Sequence, residues 1–249
     1  MKKNNFFNNK YVLVTGSSSG IGYQIAKDFL ERGCYVGVHY NKNQKGAKNL
    51  LKISKNNKCK IFKSDFSSSK DVLKLWKNFT KWGKNRIDFL INNAGYAKPM
   101  DFFKLSEKEW DKALTINLKS TFLLSKLAIK IMAKKKNGRI INVSSGGWLY
   151  GGGQKTVHYS VSKAAIEALT VAISKIGAKD NVLVNAIRPG ATKTDFHKKM
   201  GRKNLFARTN LIPLKRMAQP DEISNAIIFL CDEKSSFITN SILDIRGGE

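Results

Sequence analysis

Short apolar runs alternate with helical patterns along almost the whole chain, and this alternation restricts the fold more than any other feature. Tyr11–Val14, Tyr35–Tyr40 and residues 182–187 are apolar nearly throughout, as in a parallel sheet covered by helices on both faces. Strands that alternate with helices form right-handed βαβ units. The sequence therefore predicts an α/β fold, a single doubly wound Rossmann domain over residues 1–249 with a mostly or fully parallel central sheet flanked by helices on both faces.

The other predicted elements follow from the same periodicities. Further strands are predicted at 60–62, 87–91, 139–143 and 241–245. Helices are predicted at 21–30, 45–54, 71–82, 159–177 and 221–230, and two helical patterns share residues 107–133. Residues 192–217 are lysine-rich and poorly periodic, and loops of that length commonly cover binding sites. We expect this segment to be a loop or lid over the substrate, with an apolar lining or ordinary packing from Phe196, Met200, Leu205 and Phe206.

The sequence shows no membrane, secretion or metal-binding signal. Lysines interrupt the longest apolar candidate, residues 116–133, which lacks the run of about 18 uncharged apolar residues that a transmembrane helix needs. The first residues have charge but no apolar core of a signal peptide. Cys34, Cys59 and Cys231 are odd in number and far apart, which argues against a disulfide framework or zinc site. We expect a cytoplasmic protein with no membrane partner and no metal.

The net charge of +27 is unusual for a chain of this length. A strong positive charge raises the question of nucleic-acid binding, which would give a steeply salt-dependent affinity. The lysines, however, are scattered along the chain, and no nucleic-acid-binding motif or platform of aromatic and basic residues is visible. We therefore interpret the charge as solvated surface and predict no nucleic-acid partner.

A glycine-rich segment follows the first strand and opens the first helix. Glycine permits a positive φ and lets a phosphate approach the backbone, and the N–H groups at a helix N-terminus favour a pyrophosphate. The spacing is G-x3-G-x-G, which differs from the more general G-x-G-x-x-G motif. The position after a strand and before a helix predicts a dinucleotide site. Its candidate residues are Gly16, Ser18, Ser19, Gly20, Ile21 and Gly22.

The ends of the next strands suggest the rest of the cofactor site. No acidic residue follows the second strand, where His39, Asn41 and Lys42 could tolerate a 2′-phosphate, so NADP is favoured over NAD. Asp65 follows the third strand and could hold the adenine amino group. The fourth strand ends in Asn93, Ala94 and Gly95, and ligands of open α/β sheets bind outside such carboxyl ends.

Tyr159 and Lys163 are the candidates for acid–base chemistry. Their spacing of four places them on one helix face, one turn apart. A phenol with a pKa of about 10 is a poor acid or base near neutrality, but a neighbouring ammonium lowers that pKa. Ser144 and Ser145 end a strand upstream, where either hydroxyl could polarise a substrate carbonyl, and Asn117 lies in a helix between the two halves of the chain.

The ordered motifs resemble those of the short-chain dehydrogenase/reductase family over essentially the whole chain. The matching residues are 15–22, 92–95, Asn117, Ser145, Tyr159 with Lys163, Asn185 and Pro189 with Gly190.

This resemblance implies an NAD(P)-dependent oxidoreductase and a role for each catalytic residue. Tyr159 would exchange a proton with the substrate oxygen, and Lys163 would lower the Tyr159 pKa and hold the nicotinamide ribose. Ser145 would orient the carbonyl, with Ser144 as the alternative because 14 residues separate Ser145 from Tyr159. Asn117 would hold a water in a proton relay that reaches Lys163.

The same resemblance implies further cofactor contacts. Pro189, Gly190, Thr194 and Ile187 would contact the nicotinamide end of the cofactor. NADP-preferring relatives often carry a basic residue where this chain has Ser19, and this departure weakens the prediction of NADP.

Within the family the chain is most similar to 3-oxoacyl-(acyl-carrier-protein) reductases of fatty acid biosynthesis, through residues 212–223 and the ending at 241–248. The resemblance implies an acyl-thioester or other small-molecule substrate, an acyl carrier protein as a partner, with lysines such as Lys136 for docking, and a homotetramer built on helices 107–133 and 159–177. Two alternatives stay open: a dehydrogenase of a sugar or other small alcohol, and a cofactor-bound regulatory protein without turnover.

Overall fold

The computed structural model describes residues 6–151, 154–201 and 206–249. Its centre is a sheet of seven parallel strands in the order β3-β2-β1-β4-β5-β6-β7. The strands are β1 Tyr11–Val14, β2 Tyr35–Tyr40, β3 Cys59–Lys63, β4 Phe89–Asn92, β5 Gly138–Val143, β6 Val182–Pro189 and β7 Ile242–Ile245. The predicted doubly wound α/β fold is confirmed, and every pairing in the sheet is parallel.

Helices connect the strands. They are α1 Gly20–Glu31, α2 Gln44–Ile53, α3 Ser69–Trp82, α4 Glu107–Leu114, α5 Ser120–Lys134, α6 Val157–Ala178, α7 Phe196–Lys199, α8 Phe206–Asn210 and α9 Pro220–Cys231. The described part of the segment at 192–217 therefore contains two short helices, which its weak periodicity did not predict. No helix in the described part of the chain combines the length and the apolar character that a membrane crossing requires.

Two apolar layers cover the two faces of the sheet. One layer packs Ile25 and Phe29 of α1 and Ile227 of α9 against the strands, and the other packs Phe79 of α3 and Leu124 of α5. These side chains are all fully buried. Because β1 pairs with β2 on one side and with β4 on the other, the chain reverses its winding direction there. Open α/β sheets bind ligands at such a switch point.

The helices begin where polar side chains satisfy their free N–H groups. Asn43 accepts a hydrogen bond from Gly46 N at the start of α2, and Ser68 does the same for Asp71 N at the start of α3. Helix α9 begins with Pro220, and Gln219 and Glu222 cap it reciprocally. These caps place the helix starts within two residues of the predicted positions.

A π-helical turn, Thr115–Lys119, separates α4 from α5. The sequence suggested two helical patterns between residues 107 and 133 but not this turn. A π turn contains an extra residue relative to an α-helix and is frequent at functional sites. Here it places Asn117 in the interior, fully buried.

Buried amides tie the strands to their neighbours. Asn92 Nδ2 donates to Asn142 Oδ1 at 2.8 Å, and Asn142 Nδ2 donates to Thr170 Oγ1 of α6 at 2.9 Å. Asn185 Nδ2 donates to Ile238 O at 2.8 Å, and its Oδ1 accepts from Ser241 N at 2.9 Å. Asn185, which matches the family motif, thus holds the segment that leads into β7.

Candidate active site

A cleft of about 1260 Å³ lies across the carboxyl ends of the strands, beginning at the β1–β4 switch point. Its wall includes every residue that the sequence suggested for cofactor binding except Ile187. These are Gly16, Ser18, Ser19, Gly20, Ile21, Gly22, His39, Asn41, Asp65, Asn93, Ala94, Gly95, Tyr159, Lys163, Pro189, Gly190 and Thr194.

Close backbone packing fixes the glycine-rich loop against the end of β4. Gly16 has a φ of +63°, and a Cβ atom there would lie 2.8 Å from the Ala94 Cα. A Cβ at Gly22 would lie 2.4 Å from both Asn93 Nδ2 and Gly16 O. Thr15 Oγ1 accepts hydrogen bonds from the backbone N–H groups of Asn93 at 2.9 Å and Ala94 at 3.0 Å. Side chains at Gly16 and Gly22 are therefore excluded by rigid neighbours.

The start of α1 fits the pyrophosphate of a dinucleotide. Ser19 is its N-cap residue, but the Ser19 side chain makes no capping hydrogen bond, and the first turn contains no acidic residue. The N–H groups of the first turn and the positive end of the helix dipole are thus left for an anion. Together with the close packing of Gly16 and Gly22, which fixes the loop against the end of β4, this donor set fits a dinucleotide cofactor.

His39 differs from its expected role. Its Nδ1 accepts a hydrogen bond from Gly16 N at 3.0 Å, and its Nε2 lies 3.1 Å from Ser64 O. The ring stacks on Phe66 with a centroid distance of 4.0 Å. Burial lowers the pKa of His39 to about 4, so the imidazole is neutral and donates from Nε2. His39 therefore shapes the wall but offers no positive charge, which leaves exposed Lys42 as the nearby cation on this wall.

Asn43, which the sequence analysis missed, connects α2 to the glycine-rich loop. Its Nδ2 donates to Ser18 O at 2.7 Å while its Oδ1 caps α2. An asparagine just before a predicted helix was the signal that could have identified it. After the neighbouring strand β3, Asp65 Oδ1 accepts from Ser67 N at 2.9 Å, and this hydrogen bond lowers the pKa of Asp65.

Lys163 lies at the bottom of the cleft, where only 3% of it is exposed. Its Nζ donates to Val143 O at 2.7 Å and lies 5.7 Å from the centre of the Tyr159 ring. Burial lowers the pKa of Lys163 to about 8, because the desolvated ammonium is disfavoured. The predicted pair of Tyr159 and Lys163 is thus brought together on α6, with the cation protonated at neutral pH.

Asn117 lies beneath the cleft, outside its wall. Its Oδ1 accepts from Tyr96 N at 2.7 Å, and its Nδ2 donates to Tyr96 O at 3.0 Å and to Ser162 Oγ at 2.8 Å. The side chain therefore connects the segment after β4 to α6. Its proposed part in a water relay stays a prediction.

The two serines after β5 have different surroundings. Ser144 is buried, and its Oγ lies 2.6 Å from Glu167 Oε1 and 3.1 Å from Lys163 O. Ser145 lies in the cleft wall, where its Oγ accepts from Gly147 N at 3.2 Å. Its own hydroxyl hydrogen is therefore left for a ligand. This arrangement favours Ser145 over Ser144 as the substrate-facing hydroxyl.

A buried carboxylate, Glu167, holds this region and was not foreseen. It accepts from Ser144, from Trp148 Nε1 at 2.6 Å, and from Arg188 Nε at 2.9 Å and Nη2 at 2.6 Å. Burial raises the pKa of Glu167, but the hydrogen bonds from Arg188, Ser144 and Trp148 outweigh it and keep that pKa below its usual range. Its position four residues after Lys163, on the same face of α6, was the available signal.

The segment at 192–217 contributes part of the substrate end of the cleft. The Phe196 ring lies 5.9 Å from the Tyr159 ring, and buried Met200 lines the cleft. Phe206, expected as a lining residue, is 73% exposed and lies outside the wall, while Leu205 lies outside the described residues. Arg208 of α8 reaches the wall and pairs with Glu249.

Ile187 does not reach the cleft. It is fully buried in the core, and the wall at this end of β6 begins with Pro189.

Comparison with known proteins agrees with this geometry. Residues 16–249 match a family model of the short-chain dehydrogenase/reductases, described as enoyl-(acyl carrier protein) reductase. The chain belongs to the short-chain dehydrogenase/reductase family. It is therefore an NAD(P)-dependent oxidoreductase. A solved structure of a short-chain dehydrogenase/reductase family protein superimposes with a TM-score of 0.85 at 27% identity, covering 98% of each chain.

Several curated members of the family are similar over nearly their full length. An uncharacterized oxidoreductase of Thermotoga maritima is 36% identical over 97% of this chain and 98% of its own. The 3-oxoacyl-(acyl-carrier-protein) reductase FabG of Buchnera aphidicola is 34% identical over 96% of both chains. The 3alpha-hydroxysteroid dehydrogenase of Mediterraneibacter gnavus is 30% identical over 96% of both chains. These dehydrogenases and reductases differ in substrate, so similarity alone does not choose among substrates.

Proposed function

We propose that the protein is an NADPH-dependent reductase of 3-oxoacyl thioesters. The observation that carries the proposal is the buried Lys163 ammonium beside Tyr159, in one cleft with the Ser145 hydroxyl and the glycine-rich loop. Similarity to 3-oxoacyl-(acyl-carrier-protein) reductases supports this substrate class.

Tyr159, Lys163 and Ser145 have separate roles in the proposed reaction. When bound, the nicotinamide cofactor supplies a hydride to the substrate carbonyl. Tyr159 donates the proton that the carbonyl oxygen needs, and the Lys163 charge stabilises the phenolate that remains. Ser145 donates a hydrogen bond to the same oxygen and orients it. Lys163 keeps its charge at neutral pH because its pKa lies near 8.

The choice of NADPH rests on the wall beyond β2. That strand ends in Tyr40, and Asn41, Lys42 and Asn43 follow it without an acidic residue. A carboxylate at this place would bind the ribose 2′-hydroxyl of NAD and repel a 2′-phosphate. Lys42 is available to attract that phosphate, while neutral His39 behind it adds no charge.

We also propose that residues 192–217 cover the substrate and that an acyl carrier protein delivers it. Phe196 and Met200 already contribute apolar surface near Tyr159. Lys134 ends α5, Lys135 and Lys136 follow it directly, and the three offer positive charge for an acidic carrier.

The experiment that tests the function compares NADPH and NADH oxidation with a short 3-oxoacyl thioester at moderate salt. We expect fast oxidation of NADPH and slow oxidation of NADH. Equal rates would contradict the cofactor assignment. No turnover with either cofactor, despite tight cofactor binding, would contradict the thioester assignment.

The catalytic assignment has its own test in Tyr159→Phe. We expect kcat to fall by about 10³-fold or more because the proton donor is lost, while cofactor binding measured by calorimetry is unchanged. Tyr35→Phe is the matched control, since Tyr35 stacks on Tyr11 at the far end of β2. Substantial turnover in Tyr159→Phe would refute the role of this phenol.

A dehydrogenase of a small secondary alcohol is the second candidate. It is favoured by the similarity to a 3alpha-hydroxysteroid dehydrogenase. Oxidation of a panel of sugar and steroid alcohols with NADP⁺ or NAD⁺ distinguishes the two, because a thioester reductase would leave this panel largely unreacted.

We propose a homotetramer built on α4, α5 and α6. Phe122, Val161, Val171 and Ile176 on these helices are exposed apolar side chains, and burying them between subunits removes apolar surface from water. Since the net charge of +27 opposes association, light scattering should show a larger tetramer fraction as salt is raised.

A further inference from the structure

The turn that follows Ser145 carries a tyrosine into the substrate end of the cleft. This turn, Gly146–Tyr150, is a single 3₁₀ segment that ends at Gly151 in the left-handed conformation, with a φ of +69°. Tyr150 lies in the cleft wall and is 56% exposed. The proposed proton and hydride transfers do not use it.

A guanidinium group holds the Tyr150 phenol. Arg246 Nη1 donates to Tyr150 Oη at 2.8 Å. Arg246 is itself held by Asp244, with Nε donating to Oδ1 at 2.7 Å. Asp244 also accepts from Arg188 at 2.9 Å, and Arg188 pairs with the buried Glu167. A continuous chain of ion pairs therefore connects the interior beside Ser144 to the phenol in the wall.

The aliphatic part of Arg246 is fixed as well. A Cβ at Gly146, the residue after Ser145, would lie 2.5 Å from Arg246 Cδ. A Cβ at Gly190, at the cofactor end of β6, would lie 3.0 Å from Arg246 Cα. Arg246 thus packs between the turn that carries Ser145 and the turn that carries Gly190, and its guanidinium has a defined position.

This contact leaves the Tyr150 hydroxyl with a hydrogen to donate. The phenol oxygen accepts from Arg246, and among the described residues it has no other hydrogen-bond partner. A phenol is both donor and acceptor, so its own O–H is left for a ligand in the cleft. The positive charge of Arg246 polarises this O–H and makes it a stronger donor. Ser145 and Tyr159 already serve the reacting carbonyl, so a third donor suits a different oxygen.

We propose that Tyr150 is a specificity-determining residue that donates a hydrogen bond to a second substrate oxygen, beyond the reacting carbonyl, and that Arg246 is its positioning residue. This inference rests on the proposed function. The Tyr150 hydroxyl selects carbonyl compounds with a nearby second acceptor, such as the thioester carbonyl of a 3-oxoacyl thioester, over simple ketones. A site built to hydrogen-bond an oxygen discriminates against an analogue that lacks it.

The experiment compares two substrates that differ in one group. The first is the N-acetylcysteamine thioester of 3-oxobutyrate, and the second is the thioether ketone in which CH₂ replaces the thioester carbonyl. Each is assayed with wild type, Tyr150→Phe, Arg246→Met and the double variant. Arg246→Met keeps an aliphatic side chain between the two glycines. Arg86→Met is the matched control, because Arg86 pairs with Asp88 just before β4 and lies outside the cleft wall.

We expect Tyr150→Phe to lower kcat/KM for the thioester by about 5- to 10-fold, mainly through KM, as for loss of one hydrogen bond. The thioether ketone should change by less than about twofold, since it lacks the acceptor. Arg246→Met should lower the thioester value less than Tyr150→Phe, and the double variant should resemble Tyr150→Phe because both act through one phenol. Equal losses on both substrates, or no loss on either, would overturn the proposal.

A binding measurement separates this inference from the proposed function. Calorimetry with NADP⁺ present compares the 3-hydroxybutyryl thioester with its thioether counterpart, for wild type and Tyr150→Phe. If wild type turns over neither substrate but Tyr150→Phe selectively weakens binding of the thioester, the inference stands and the proposed reaction fails. If both ligands bind alike in both proteins, the inference fails whatever the turnover.

Discussion

Backbone groups and neutral side chains hold the cofactor end of the cleft, whereas charged side chains from distant segments hold the substrate end. At the cofactor end, Gly16 and Gly22 pack directly on the segment after β4, and Thr15 receives two backbone N–H groups from it. At the substrate end, the turn after Ser145 depends on Glu167, Arg188 and Arg246.

This difference has physical consequences for how each end responds to change. Close backbone packing tolerates no added atoms, and it is insensitive to pH near neutrality because His39, which accepts from Gly16 N, has a pKa of about 4 and stays neutral. Ion pairs tolerate small changes in shape, but they depend on the protonation of each partner. The cofactor end should therefore fail by steric change and the substrate end by loss of charge.

The largest stability effect is expected for Gly16→Ala. A side chain at a φ of +63° is strained, and its Cβ would meet the Ala94 Cα at 2.8 Å, so we expect a loss of about 3–4 kcal/mol and much weaker cofactor binding. Gly151→Ala is the control at the substrate end, since Gly151 has a φ of +69° but no atom of a described residue within 4 Å of the added Cβ. It should lose about 1 kcal/mol in urea unfolding. Equal losses would show that the packing against Ala94 is unimportant.

The next effect concerns Lys163, which lies between the two ends. The Lys163 pKa is near 8 in the folded protein, whereas the ordinary value, which applies to the unfolded chain, is 10.5. Between these two pH values the unfolded chain therefore binds more protons than the folded protein does. Wild type should gain stability from pH 8 to 10.5 relative to Lys163→Met. Below pH 8, Lys163→Met should be more stable by about 3 kcal/mol, at about 1.4 kcal/mol per pKa unit. Parallel stability curves for the two proteins would contradict this account of its burial.

A smaller effect is expected for Glu167→Gln, which removes the charge at the substrate end. We expect a loss of about 2 kcal/mol at pH 7, because the largely buried Arg188 charge loses the closer of its two carboxylate partners and keeps only Asp244 among the described residues. The folded pKa of Glu167 lies below its ordinary 4.5, so its stabilisation is complete above that pH and disappears as the pH falls through the folded value. The difference between wild type and Glu167→Gln should shrink in that acid range.

Glu31→Gln is the control for this variant, as Glu31 is an exposed partner of Lys27 at 3.7 Å. It should change stability by less than about 0.5 kcal/mol. A loss in Glu167→Gln that matches the control, or that does not vary with pH, would mean that the buried carboxylate contributes little.

The sequence predicted the cofactor end better than the substrate end, because the signals for the cofactor end come from residues that are close together in the chain. The bounds of β1 and β2 and the position of the glycine-rich loop depend on local periodicity and on where glycine is needed. Tyr159 and Lys163 lie four residues apart, so one helix was enough to bring them together. All these signals involve neighbours in the chain.

The contacts that the sequence did not reveal join distant segments. Glu167 and Arg188 lie on different elements, and Arg246 meets Tyr150 across 96 positions of the chain. Nothing local distinguishes Arg246 from the other basic residues of so positive a chain. The neutral state of His39 was also hidden, because it depends on burial and on two backbone partners that only the folded structure supplies.

The π turn at Thr115–Lys119 means that α4 and α5 do not share one helical register. Its extra residue offsets the two segments by roughly 100°, the rotation of one residue in an α-helix. The two helices therefore take independent rotations about their axes. In α4 the rotation points Lys112 into the cleft, and in α5 it points Leu124 into the core. Deleting one residue here would yield a smoother helix but aim one of these side chains in the wrong direction. The number of residues in this turn is consequently constrained as tightly as residue identity is at the catalytic positions.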